Sequence, residues 1–151
     1  MNSPKIEDII LSELKLIPGE LGSVRHGIKS TDPGFSGFEE VYFSSVFFGK
    51  TKGWKRHTRM ISNLIVISGE ITFFLIDKRE DSRTYDQNDI IRISADNPRR
   101  LTVPPGIWTA FRGNTQGENV LCNVANLMHD PEESETLSIS DPQFRKILEK
   151  E

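Results

Sequence analysis

The stretch that decides the fold runs from Gly49 to Gly69, "GKTKGWKRHTRMISNLIVISG". Its second half, "NLIVIS", is a β-rich apolar run closed by a Ser-Gly turn, which reads as a strand. Its first half sets one histidine, His57, among Lys50, Lys52, Lys55, Arg56 and Arg59. Alternate side chains of a strand share a face, so Lys55, His57 and Arg59 are expected on one side and Trp54, Arg56, Thr58 and Met60 on the other. If no bulge intervenes, Asn63 joins the His57 face. An imidazole flanked by two cations is held neutral, and hence basic, while a cation beside it can stabilise an enolate. The plainer readings of the same residues are a solvated basic edge and a histidine satisfied on a polar interior.

Short strand-like runs continue on both sides: "VYFSSVFF", "ITFFLID", "DIIRIS", "RRLTVP", "WTAFRG" and "NVLCNVANL", punctuated by Gly, Pro, Asn and Asp. Many short strands between turns predict an all-β sandwich or barrel of jelly-roll type. Helices are expected only at the ends. Ser3 is placed to cap an N-terminal helix with Pro4 at its first position and Ile6, Ile9, Ile10 and Leu14 on one face, although a strand around Leu14 to Ile17 is an alternative. A C-terminal helix over about 141–150 would be capped by Asp141, with Phe144, Ile147 and Leu148 on one face. The expected organisation is one domain over 1–151: an N-terminal arm over 1–40, a barrel core over about 41–133, and that helix.

With 151 residues, 36% of them hydrophobic and 27% charged, the chain has enough apolar material for one core without metal or disulfide staples. The lone cysteine, Cys122, forms no internal disulfide, and no stretch at the N-terminus has the order of a signal peptide, so a cytoplasmic location is expected. A net charge of −3 argues against nucleic acid as a partner, and nothing suggests a membrane. The local basic patch instead suits a small anion such as a diphosphate.

The turns carry a second signal. The cupin superfamily of small β-barrels has a first motif G-x5-H-x-H-x3,4-E-x6-G and a second, P-x-G-x2-H. Gly49, Lys55, His57, Ser62 and Gly69 occupy the first frame, and Pro104, Gly106 and Thr109 the second. Of the four metal-ligand positions only His57 keeps a ligand, and one imidazole cannot hold a transition metal that needs three or four protein donors. No metal and no other cofactor is expected.

"KGWKRH", "SGEITFFLIDKREDSRTY", "RRLTVPPGIWTAF" and "HDPEE" also follow one another in the order and spacing of a particular metal-free branch of the cupins. From about Val41 to Glu133 the chain resembles the dTDP-4-dehydrorhamnose 3,5-epimerases and the related sugar 3,4-ketoisomerases. The resemblance implies a cupin jelly roll, a homodimer with strands exchanged or sheets joined, and a nucleotide-sugar substrate. It also implies that His57 is the base that removes the proton beside a 4-keto group.

The sequence departs from that pattern at three places. The family's acid tyrosine is Asn123, which has no acidic proton of useful pKa. The second barrel histidine is Thr109, and the late acidic residue that orients the base has no clear counterpart in this shorter tail. Candidates to return the proton are Cys122, Tyr85, Tyr42, His129 or a water. Cys122 should face away from Asn123 and sit packed in the core.

The remaining candidates each have two readings. His129 lines the barrel mouth or caps a turn. Arg100, beside Arg99, binds phosphate or forms an exposed pair, and Trp108, like Trp54, stacks on substrate or fills the core. His26 reads as a loop residue. The expected site is thus His57, Lys55 and Arg59 for chemistry, with Asn63, Asn123, Thr109, Trp108, Arg100, Tyr85 and His129 as substrate contacts.

Three functions are compatible with these residues. The first is epimerisation at C3, or at C3 and C5, of a nucleotide-linked 4-keto-6-deoxy sugar for surface polysaccharide. The second is 3,4-ketoisomerisation, in which one base works on one face and no opposing acid is needed. The third is a non-catalytic cupin that binds a sugar nucleotide.

Overall fold

The computed structural model describes residues 3–150, with the strands β1 (Ile10–Glu13), β2 (Leu16–Gly19), β3 (Gly22–Arg25), β4 (Glu40–Phe47), β5 (Thr51–His57), β6 (Ser62–Ser68), β7 (Glu70–Asp77) and β8 (Asn88–Ser94). They are followed by β9 (Arg99–Val103), β10 (Ile107–Gly113), β11 (Glu118–Ala125), β12 (Ser134–Thr136) and one short helix, α1 (Arg145–Leu148). Two five-stranded antiparallel sheets form, ordered β1-β9-β6-β11-β4 and β12-β5-β10-β7-β8, and β2 pairs with β3 alone. This is the jelly-roll architecture expected of a cupin.

Period-two burial explains the sheets. Along β11, Val120, Cys122 and Val124 are half-buried outside while Leu121, Asn123 and Ala125 are buried inside. Between the sheets Ile71, Phe73 and Leu75 of β7 meet Leu64, Val66, Leu101 and Leu121. β7 is buried on its other face as well, because Phe74 and Ile76 pack with Trp54, Trp108, Phe144 and Ile147. Burying each such aromatic contributes about 1.5–3 kcal/mol.

Both termini differ from expectation. No N-terminal helix forms: Asp8 has φ +66°, which interrupts any helix, and Ile10–Glu13 pairs with Arg99–Thr102 instead. Ile6 and Ile9 still reach the core, from a turn. The C-terminal helix is a single turn, and the Asp141 carboxylate accepts from Gln143 N–H in the turn before it rather than capping it. Phe144 then inserts between Trp54 and Trp108, ring centroids 5.2 and 5.8 Å away, so both tryptophans are core and neither is available to stack on a substrate. Among the described residues no helix is long and apolar enough to cross a membrane.

Candidate active site

Between the sheets lies a cavity of about 270 Å³. One wall comes from β5 and β10, with Lys52, Lys55, His57, Thr109 and Phe111; the facing wall comes from β4, β6 and β11, with Tyr42, Ser44, Ser62, Leu64 and Asn123. The four cupin metal positions, Lys55, His57, Ser62 and Thr109, therefore converge on one space. An ammonium, an imidazole and two hydroxyls lack the three or four donors a transition metal requires.

Local backbone decides which cations reach the cavity. Lys55 pairs with Thr109 and Lys52 with Phe111, so β5 carries one residue more than β10 over this interval. Gly53 sits in that bulge with φ +125°, and a Cβ there would lie 2.8 Å from the Ala110 Cα. The extra residue turns Lys52 to the same side as Lys55. Lys52 donates to Ser44 Oγ at 2.8 Å and stands 5.6 Å from the centre of the Phe111 ring.

β5 ends at His57, and the following turn wraps around Glu133. Backbone N–H groups of Thr58, Arg59 and Met60 donate to Glu133 Oε2 at 3.2, 3.0 and 3.1 Å. The His57 Nδ1–H donates to Glu133 Oε1, which fixes the ring and leaves Nε2 as the nitrogen free for the cavity. Glu133 is only 3% exposed and is delivered by the 3₁₀ turn Pro131–Glu133, whose Glu132 N–H is capped by the Asp130 carboxylate.

The electrostatics of the pair are set by burial first. Burial lowers the His57 pKa, the hydrogen bond and charge of Glu133 raise it, and Lys55 and His129 lower it again; the net effect is downward, so the ring is neutral near pH 7. Burial pushes the Glu133 carboxyl up, but bonds from Arg59 N–H, His57 and Met60 N–H more than reverse this and it stays ionised. An ionised carboxylate behind a neutral imidazole stabilises the imidazolium formed when Nε2 takes a proton.

Asn123 is buried at the facing wall. Its Oδ1 accepts the Asn63 N–H at 3.0 Å, and its Nδ2 donates to Tyr42 Oη at 2.9 Å and to Ser62 Oγ at 3.3 Å. Its neighbour Cys122 points to the outer face opposite Phe43 and Ile65, and burial raises its thiol pKa.

Of the residues expected from sequence, the fold brings His57, Lys55, Thr109 and Asn123 to the cavity. Arg59 lies beyond the strand end, exposed and 3.5 Å from Asp130, so the alternation expected for it fails where the chain turns around Glu133. The same turn resets the register before β6. Ser62 and Leu64 face inward, whereas Asn63 faces outward and bonds Gly34 O and Thr102 Oγ1.

Arg100 does not form the exposed pair expected of it. It is buried, donating to Gly27 O and Pro33 O and paired with Asp32 at 3.3 Å, which clamps the N-terminal arm. Trp108 faces the second core, under the Arg56 guanidinium. Tyr85 is exposed on the β7–β8 loop beside Lys78. His129 is exposed, its backbone N–H bound by Glu40 at 2.6 Å, and it is not among the residues that line the cavity.

Sequence reasoning missed Glu133, Lys52 and Ser62. The signal for Glu133 was the paired acid after Pro131 in "HDPEE", within the stretch that carries the family resemblance. The orienting acid expected to be absent is thus supplied by this segment.

Comparison with known proteins agrees with this geometry. The family model for dTDP-4-dehydrorhamnose 3,5-epimerase matches residues 54–147. The crystal structure of a dTDP sugar isomerase from Desulfovibrio desulfuricans is 36% identical and superposes with a TM-score of 0.86, covering 91% of this chain and 88% of that one. A curated Haloferax volcanii protein, the probable low-salt glycan biosynthesis epimerase Agl13, is 26% identical over 137 residues, 86% of this chain and 85% of its own. The 3'-monoepimerase ChmJ of Streptomyces bikiniensis, solved with dTDP-quinovose, shares the fold at 16% identity and a TM-score of 0.84, with 95% of this chain and 76% of that chain covered. The family match begins on β5 and ends in the C-terminal helix, taking in His57, Ser62, Thr109, Asn123 and Glu133, and on that ground the chain belongs to the dTDP-4-dehydrorhamnose 3,5-epimerase family.

Proposed function

We propose that this protein epimerises a nucleoside-diphosphate 4-keto-6-deoxy sugar, of which a dTDP sugar is the leading candidate, at C3 or at C3 and C5. One observation carries the reading: His57 faces a cavity lined by polar and apolar side chains, with its Nδ1 held by a buried carboxylate and the Lys55 ammonium on the same wall. A ketone acidifies the carbon beside it because the resulting carbanion delocalises onto the oxygen. Nε2 of His57 takes the proton, the C–H electron pair forms the enolate, and Lys55 stabilises its charge. Lys52, at the rim beside Phe111, is suited to the diphosphate.

The relatives named for glycan biosynthesis favour a role in supplying sugars to a surface polysaccharide. The lone Cys122 is consistent with the cytoplasm. A homodimer is supported by the outer face of the first sheet, where Val41, Phe43 and Phe47 of edge strand β4 lie exposed near Ile67 of β6. The β2–β3 hairpin, exposed along its whole length with Leu21 and Val24 outward, is suited to reach a second copy.

Ketoisomerisation is the second reading, favoured by Asn123 where the family carries its acid tyrosine. Incubation with a panel of 4-keto nucleotide sugars in deuterium oxide separates the possibilities by NMR. Epimerisation gives an inverted, deuterated centre and ketoisomerisation moves the carbonyl. Binding without deuterium uptake would replace both with a sugar-nucleotide binding role.

A further inference from the structure

Resting on the epimerase reading, we infer that Tyr42 is the proton donor on the face of the sugar opposite His57, and that Asn123 positions it. The two tyrosines among the described residues occupy different worlds: Tyr85 is exposed on a loop, whereas Tyr42 lines the cavity. Inversion requires the proton to leave one face of the carbon and return to the other. His57 stands on the wall built from β5 and β10, and Tyr42 on the facing wall built from β4, β6 and β11. A sugar ring lying between the walls presents one face to each.

The hydrogen bonds around Asn123 assign a direction to the proton. Asn63 N–H donates to Asn123 Oδ1 at 3.0 Å, so the amide is oriented with Nδ2 toward Tyr42 Oη, 2.9 Å away. Asn123 is the donor in that contact, which leaves the Tyr42 O–H free to point at a ligand. The same amide then stabilises the phenolate that remains. Asn123 and Tyr42 are cross-strand partners on adjacent antiparallel strands, so their side chains share the inner face. An asparagine on β11 and a tyrosine on β4 therefore deliver a hydroxyl to the wall where Asn123 itself has no proton to give.

His57 Nε2 bonds the proton from the carbon beside the ketone, and the C–H pair becomes the enolate. The Tyr42 O–H bond then breaks, its proton forms the new C–H bond on the opposite face, and the enolate returns to the ketone. Imidazolium and phenolate are left, and a proton passing from one to the other through water resets the site.

Tyr42→Phe removes the hydroxyl alone and is the direct test, run on the full chain with the 4-keto sugar nucleotide that wild type turns over. The expected result is a loss of inverted product by 100-fold or more, with deuterium still entering at the same carbon with retained configuration, because His57 can return a solvent-derived deuteron to the face it drew from. Asn123→Ala should lower the ratio of inverted to retained deuterated product at unchanged KM, a partition that a merely structural role would not move. Both variants are compared with wild type by thermal melting. If Tyr42→Phe melts early, the Asn123→Ala partition decides.

Inversion at the wild-type rate in Tyr42→Phe, or an unchanged partition in Asn123→Ala, overturns the assignment. Exchange absent from wild type on every sugar overturns the epimerase reading beneath it, and carbonyl migration without inversion does the same. Exchange that survives in His57→Ala removes the base rather than the acid, so the two failures are distinguishable.

Discussion

The His57–Glu133 pair joins residues 76 positions apart and converts an ordinary imidazole into a candidate base of fixed tautomer. Because the neutral form is the reactive one, activity rises with pH through the His57 pKa, and burial places that acid limb below the ordinary imidazole value of about 6.5. Two substitutions should move it in opposite directions. Glu133→Gln removes an interaction that raises the pKa, so the limb shifts to lower pH while kcat falls by about 100-fold, the ring having lost its counter-charge. Lys55→Ala removes a repulsion, so the limb shifts to higher pH as enolate stabilisation is lost. A kcat/KM profile over pH 4–9 reads both shifts. His57 and Lys55 were legible in the sequence because they lie two apart on one strand. Glu133 was not, since its role depends on a turn that folds three N–H groups onto a carboxylate contributed by a distant segment.

At the level of elements, the β-runs were readable from alternation and turn residues, whereas a change of face within a run was not. The bulge at Gly53 brings Lys52 inward, and the turn after His57 sends Arg59 and Asn63 out. Period-two counting carries across neither interruption. Gly53→Ala puts a Cβ against the Ala110 backbone in a conformation that L side chains rarely adopt. It should cost about 1–3 kcal/mol in urea unfolding and displace both lysines. The supposed N-terminal helix failed for a tertiary reason. Its residues are held by β8 and by the β7–β8 loop: Lys5 N–H donates to Asp89 of β8 at 2.7 Å, and Glu7 N–H to Thr84 Oγ1 of the loop at 3.0 Å.

That loop is organised by the buried Asp77, which accepts from Arg79, Ser82 and Thr84, while Arg79 reaches on to Glu7 O and Asp8. Burial pushes the Asp77 carboxyl up, and the bonds from Arg79, Ser82 and Thr84 pull it far below the usual range. Its folded pKa is therefore depressed, and the stability it contributes is present above the ordinary carboxylate pKa near 4 and lost as pH falls below that. Asp77→Asn should cost about 3 kcal/mol at pH 7 and flatten the decline of the urea midpoint between pH 5 and pH 2.

For the whole molecule, the outer face of the first sheet is the feature that a lone chain leaves unexplained. Phe43 and Phe47 are 65% and 61% exposed on an edge strand, and such an edge is ordinarily paired or covered. Replacing both with Asp should halve the mass found by sedimentation velocity if this face joins two copies, and an unchanged mass would place the interface elsewhere. The same strand carries Tyr42 on its inner side, so separation of the copies is expected to weaken turnover without touching a cavity residue.

On the proposed mechanism, His57 draws a proton from carbon inside the cavity. The most direct measurement is deuterium incorporation beside the keto group of a dTDP-4-keto-6-deoxy sugar, followed by NMR for wild type and His57→Ala, with the dTDP affinity of each measured in parallel. Uptake is expected for wild type, none above the solvent background for the variant, and equal affinity for dTDP. Uptake by the variant at the wild-type rate, with its fold and affinity intact, would contradict that mechanism.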